Sequence, residues 1–189
     1  MAASQQRGFQ DEARIIFGTI GLIWLVFLVD KLTPLNLSTW GLVPREFSRL
    51  PGILTMPFIH GTWAHIVSNT VPLLVLLLLL AGSQARSIEV VTVIVLLGGA
   101  LLWCFGRGGR YHIGASGVIY GLIAFLIVAG FLERRFLPLM AALLTGFLYG
   151  TTLLVGVLPL AGSMVSWDGH LTGAIAGATI AFISVKSEA

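Results

Sequence analysis

YHIGASGVIYGLIAFLIVAGFL, residues 111–132, runs from Arg110 to Glu133 without a single charged side chain. As a helix rising about 1.5 Å per residue it is long enough to cross a hydrocarbon core of about 30 Å. The stretch therefore places the chain in a bilayer. It also carries Ser116 and Tyr120, and a polar side chain at membrane depth must face protein or water, which makes it a functional candidate.

The same pattern recurs on both sides. Charged residues bracket apolar runs from Arg14 to Asp30, Glu89 to Arg107 and Asp168 to Lys186. Two longer runs, Arg49 to Arg86 and Arg135 to Asp168, exceed one helix and are divided by Pro51, Pro57 and the His60–Trp63 segment in one case and by Gly156–Ser166 in the other. The reading is an all-α membrane protein with six spans near 15–30, 62–81, 88–106, 115–132, 137–156 and 168–186, in a single domain over 1–189. A long, partly apolar first loop, 31–61, is expected in or near the interface. Composition agrees: 57% of residues are hydrophobic and 10% charged, against about 25% charged in soluble domains.

Arg7 and Arg14 before Ile15–Val29 resemble the start of a signal peptide, but Asp30 and Lys31 stand where a small-residue cleavage site belongs, so the run is read as an uncleaved first span. The net charge of +3 is dispersed at loop edges, which excludes nucleic acid as an expected partner. Cys104 is the single cysteine, leaving no intramolecular disulfide and no thiolate metal site. With both termini inside, Arg7, Arg14, Arg86, Arg134, Arg135 and Lys186 oppose five basic residues outside. Charge does not decide orientation.

Three polar clusters interrupt the spans: His60, His65 and Asn69 in HGTWAHIVSN, Ser116 in GASGVIYG, and His170 in SWDGHLTGAIAG. They open the second, fourth and sixth spans, so parity puts them at one membrane face. At 100° per residue His65 shares a face with Asn69, and Ser116 with Tyr120. Gly117 and Gly121 on the fourth span, and Gly169, Gly173 and Gly177 on the sixth, have the small-xxx-small spacing that lets helix backbones touch. Packing through them brings the Ser116 hydroxyl toward the His170 imidazole, the minimum for an activated serine. Asp168, two residues from His170, lies about 200° around the helix and is read as an N-cap or interfacial anchor. Tyr120 is placed to orient the imidazole. The Ser116 N–H at a helix start offers an oxyanion donor, with Asn69 and His65 as further candidates.

On these motifs the chain resembles the rhomboid family of intramembrane serine proteases, from the first loop to the last span. The resemblance implies a six-transmembrane-helix rhomboid-like bundle around a water-filled cavity, with Ser116 as nucleophile and His170 as general base. It further implies an oxyanion hole of His65, Asn69 and the Ser116 N–H, Tyr120 stacked on His170, and supporting glycines at Gly114, Gly117, Gly173 and Gly177. The expected partners are transmembrane segments of single-span proteins and the lipid bilayer, with no cofactor. The expected location is the bacterial inner membrane, with the site open to the outside and both termini cytoplasmic. One departure stands out: Pro51 and Gly52 occupy the place where the family often carries Trp-Arg, so the first loop is expected to be anchored differently.

Blander readings stand beside these. GASG alone is ordinary helix packing. His60 is read as a bridge from the first loop to a helix end, and His112 as interfacial. A metal site from His60, His65, His112 and His170 lacks an HExxH pair or a supporting carboxylate. Intramembrane polar residues also line transporters and channels, and a catalytically silent relative that only binds membrane segments is a third reading.

Overall fold

The computed structural model describes residues 8–83, 87–159 and 166–188. These form seven α-helices: α1 (Phe9–Leu32), α2 (Gly52–Thr55), α3 (Trp63–Ser83), α4 (Ser87–Phe105), α5 (Ser116–Glu133), α6 (Phe136–Gly156) and α7 (Trp167–Glu188). Among the described residues the only β pairing is one isolated antiparallel bridge, Leu42 with His112. Arg7 and Arg86, used in weighing orientation, and residues 160–165 of the expected fifth loop lie outside the described residues.

Five helices, α1 and α3 to α6, are long and apolar enough to cross a membrane. α7 matches them in length, but Gly169, His170, Thr172, Gly173, Gly177 and Thr179 dilute its apolar character. The chain is an integral, multi-pass membrane protein. Its outward surface agrees, because Phe17, Leu25, Val71, Phe147, Leu154 and Ile183 are exposed, a belt suited to lipid and unfavourable in water.

The bundle is organised around α5. Of its span 61% is buried, against 17–33% for the other four, so α5 is the axis on which α6 and α7 pack most extensively. The α5–α7 contact is backbone to backbone. A Cβ at Gly173 would run into the Gly117 carbonyl, and one at Gly177 into the Gly121 carbonyl. The glycine pairing expected from spacing is what the structure holds. α4 joins the same seam, where a Cβ on Gly98 would sit 3.4 Å from the Gly173 Cα. α1 leans on α3 through Phe27 and Trp63, whose rings meet edge to face at 4.7 Å, and through Trp24, whose indole N–H donates to the Thr70 hydroxyl at 3.1 Å.

Two boundaries differ from expectation. α1 begins at Phe9 rather than near residue 15 because Asp11 and Glu12 fall in its first turn, where acidic side chains complement the helix dipole. The first loop is also more structured than a plain connector, containing α2 and 3-10 turns at Leu37–Trp40, Phe47–Arg49 and Met56–Phe58. Its anchors are specific: Arg45 Nη1 donates to the Gly106 carbonyl at 2.7 Å, Arg49 Nη1 to the Thr39 carbonyl at 2.7 Å, and Trp103 Nε1 to the Glu46 carbonyl at 3.2 Å. Gly52 packs on the Leu42 backbone so closely that a Cβ would lie 2.5 Å from its Cα. A larger residue does not fit this version of the loop.

Candidate active site

The segment preceding α5 is held from three directions. Leu42 and His112 exchange backbone hydrogen bonds of 3.0 and 2.8 Å, and Gly114 N–H donates to the Met56 carbonyl at 2.8 Å. His60, only 1% exposed, accepts the Ala115 N–H on Nε2 at 3.4 Å. Accepting requires a neutral ring, and burial, reinforced by nearby His65, lowers the His60 pKa to about 4, so the bond persists at neutral pH. His60 is thus the bridge from loop to helix end that its position before α3 suggested. Ala115 is the N-cap of α5 and Ser116 its first residue, so the Ser116 N–H has no partner within the helix.

A cavity of about 560 Å³ opens at this point, lined among others by His65, Asn69, Ser116, Tyr120 and His170. The structure brings together the five polar side chains singled out from sequence, from the N-terminal halves of α3, α5 and α7. Tyr120 stacks on His170 with ring centroids 3.9 Å apart and planes 7° from parallel. His170 Nδ1 lies 3.0 Å from the Gly156 carbonyl, and Tyr120 Oη donates to the Thr152 carbonyl at 3.0 Å. Ser116 and His170 share the cavity without a hydrogen bond between them.

Thr62 caps α3 by accepting the His65 N–H at 3.1 Å. The His65 ring meets His60 edge to face at 4.8 Å and rests against Gly114. Gly114 has φ +106, and a Cβ there would run into His65 Nε2. Glycine is required on both grounds. Asn69 Nδ2 donates to the His65 carbonyl at 2.8 Å, which leaves one N–H on that amide for another acceptor, while Oδ1 is buried without a partner among the described residues.

Asp168 is an anchor and not the cap of α7. Its carboxylate receives the Arg107 backbone N–H at 2.8 Å and Nε at 3.2 Å on one oxygen, and Arg107 Nη2 at 3.0 Å on the other. Capping falls to Ser166, whose hydroxyl accepts the Gly169 N–H at 3.3 Å. His112, expected at the interface, is buried among protein atoms at 3% exposure, with Nδ1 2.8 Å from Ser166 Oγ and Nε2 3.1 Å from the Arg107 carbonyl. Burial lowers its pKa. This network ties the loop before α5 to the start of α7. Among the described residues no group of three or more His, Cys, Asp or Glu side chains is placed to hold a metal ion.

Residues 45–187 match the model of a family described as the Rhomboid domain. The chain belongs to the rhomboid family. Similar proteins include one from Mycobacterium tuberculosis strain H37Rv, 39% identical over 173 residues that cover 87% of this chain and 71% of the relative. Another, from Mycobacterium leprae, is 40% identical over 173 residues, covering 87% and 68%. Both are named as uncharacterized proteins, so neither supplies a substrate. The family match spans every element that lines the cavity and begins after α1, which packs on α3.

Two features around the cavity that sequence reasoning missed are the backbone carbonyls of Gly156 and Thr152 and the Arg107–Asp168 clasp. Carbonyls carry no side-chain signal. The clasp joins residues 61 apart in the chain and was hidden by the same distance.

Proposed function

We propose that this rhomboid is an intramembrane serine endopeptidase that cleaves transmembrane segments of single-span membrane proteins. The observation that carries the reading is the single cavity lined by Ser116, His170, His65 and Asn69, with Tyr120 stacked on the imidazole. On this reading 1–189 is one six-span domain, with α7 crossing as the sixth span, in the bacterial cell membrane and with its cavity toward the outside.

A peptide bond inside a helix is hydrogen-bonded and wrapped by side chains, so a substrate must unwind locally before it is attacked. Segments with Gly, Pro or other small residues near the outward end of the span are favoured. Ser116 Oγ attacks the carbonyl carbon while His170 takes its proton. The developing oxyanion is met by the Ser116 N–H, reinforced by the α5 dipole, and by His65 and Asn69. His170 returns the proton to the leaving amine, and water then hydrolyses the acyl-enzyme. Support for a base without an aspartate comes from the direction of Asp168, whose carboxylate is occupied by Arg107. Asp168→Asn is therefore expected to cost about 1–2 kcal/mol of stability through weaker charge-assisted bonds. Turnover per folded molecule should stay unchanged. A loss of several orders of magnitude in turnover would place the carboxylate in the reaction.

The deciding experiment is reconstitution in vesicles with a single-span substrate, alongside labelling by a fluorophosphonate. Cleavage together with a covalent adduct mapped to Ser116 supports the peptidase. Solute uptake or ionic current with no adduct favours a transport protein. Binding of the substrate segment with neither cleavage nor adduct favours a silent relative.

A further inference from the structure

A histidine that serves as base must hold its proton on the nitrogen away from the nucleophile, and in serine hydrolases a carboxylate commonly enforces this. Here Asp168 is engaged by Arg107, and the group at His170 Nδ1 is the Gly156 carbonyl, 3.0 Å away at the last residue of α6. A carbonyl only accepts, so this bond requires the proton on Nδ1 and leaves the lone pair on Nε2. The stacking partner is tied to the same place. Tyr120 Oη donates to the Thr152 carbonyl at 3.0 Å, one helical turn before Gly156. Gly156 has no room for a side chain, because a Cβ would run into Tyr120 Oη. Carbonyl, phenol and imidazole meet because that position is glycine.

We propose that the last turn of α6, through the Gly156 and Thr152 carbonyls, takes the place of the third triad member and fixes His170 in the Nδ1–H tautomer. Gly156 is a positioning residue acting through His170, and the proposal rests on the serine-peptidase reading. α6 packs mainly on α5 and has little contact with α7, so the imidazole and its stacking partner are held where the Gly156 and Thr152 carbonyls meet them.

The test compares wild type, Gly156→Ala and Gly146→Ala in detergent, measuring the rate of fluorophosphonate labelling at Ser116 together with kcat and KM for a single-span substrate. A Cβ at Gly146 meets nothing within 4 Å, so Gly146→Ala is expected to match wild type. Gly156→Ala is expected to lower labelling and kcat together by about 10²-fold, as loss of positioning does, with KM little changed. Slower cleavage with labelling intact would overturn the proposal, since α6 would then govern only substrate passage. Nitrogen-15 NMR of histidine-labelled wild type, assigned with His170→Asn, gives a reading that does not depend on how the alanine variant folds. A neutral His170 protonated on Nδ1 is expected, and protonation on Nε2 overturns the proposal. Wild type that fails to label at all strikes the peptidase reading instead, and the tautomer still decides whether the α6 turn holds the ring.

Discussion

Ser116→Ala is expected to lower cleavage of a reconstituted single-span substrate by roughly 10⁶-fold, the scale on which removal of a serine nucleophile acts elsewhere, while leaving the fold intact. The serine is half-buried at the first position of α5, and its hydroxyl makes no hydrogen bond among the described residues. Its loss therefore opens no buried polar group, and alanine is the better helix former. Unfolding in mixed micelles should shift by no more than about 0.5 kcal/mol. The variant also guards against a neighbouring suspect. Ser166 sits 2.8 Å from His112 Nδ1 and 3.1 Å from Asp168 Oδ1, residue types that elsewhere make a triad. Its hydroxyl, however, caps α7 by accepting the Gly169 N–H, and Asp168 is held by Arg107, so this oxygen is committed to structure. Cleavage that survives Ser116→Ala and vanishes in Ser166→Ala would reverse the assignment.

What the sequence disclosed and what it withheld divide along a physical line. Membrane spans are legible because hydrocarbon penalises charge, so Arg110 and Glu133 bracket α5 to within a few residues. The α5–α7 seam is legible because a Cβ at the contact is sterically intolerable, and only glycines at four-residue spacing relieve it. His65, Asn69, Ser116, Tyr120 and His170 are legible as a set because each is costly in lipid, and because helix parity sends them to one depth. The folding of the first loop was not legible. Its turns are set by long-range bonds such as Arg45 to Gly106 and Trp103 to Glu46, for which helical periodicity offers no signal. The partners of His112 were hidden for a related reason: Ser166 and Asp168 come from the far end of the chain. Sequence points to a side chain, Tyr120, as the group that orients His170, and Tyr120 does stack on it. The acceptor of the Nδ1–H bond is a carbonyl, which every residue possesses and no sequence distinguishes.

Gly173→Ala is expected to destabilise the protein by about 3 kcal/mol or more, at or beyond the upper end for an overpacked site. The reason lies in what the added carbon meets. It would run into the Gly117 carbonyl oxygen, with the Gly117 carbonyl carbon at 2.8 Å and its Cα at 3.1 Å, all backbone of a helix that cannot turn aside as a side chain does. Lipid gives no hydrophobic drive to hold helices together, so close van der Waals contact and Cα–H···O approach carry the association, and a methyl group that separates the backbones removes both. The control is Gly146→Ala on α6, where the new carbon meets open space and the change is expected to be neutral or stabilising by up to about 1 kcal/mol. The two substitutions have the same chemistry and differ only in surroundings, so unfolding of both in mixed micelles isolates the seam. Activity reads the same contact independently. Gly117 follows Ser116 directly and Gly173 stands one turn after His170, so forcing α5 and α7 apart separates nucleophile from base, and turnover per folded molecule should fall by about 10²-fold or more. A Gly173→Ala protein as stable and as active as wild type would mean that α5 and α7 do not meet through these glycines, and the shared cavity of Ser116 and His170 would lose its scaffold.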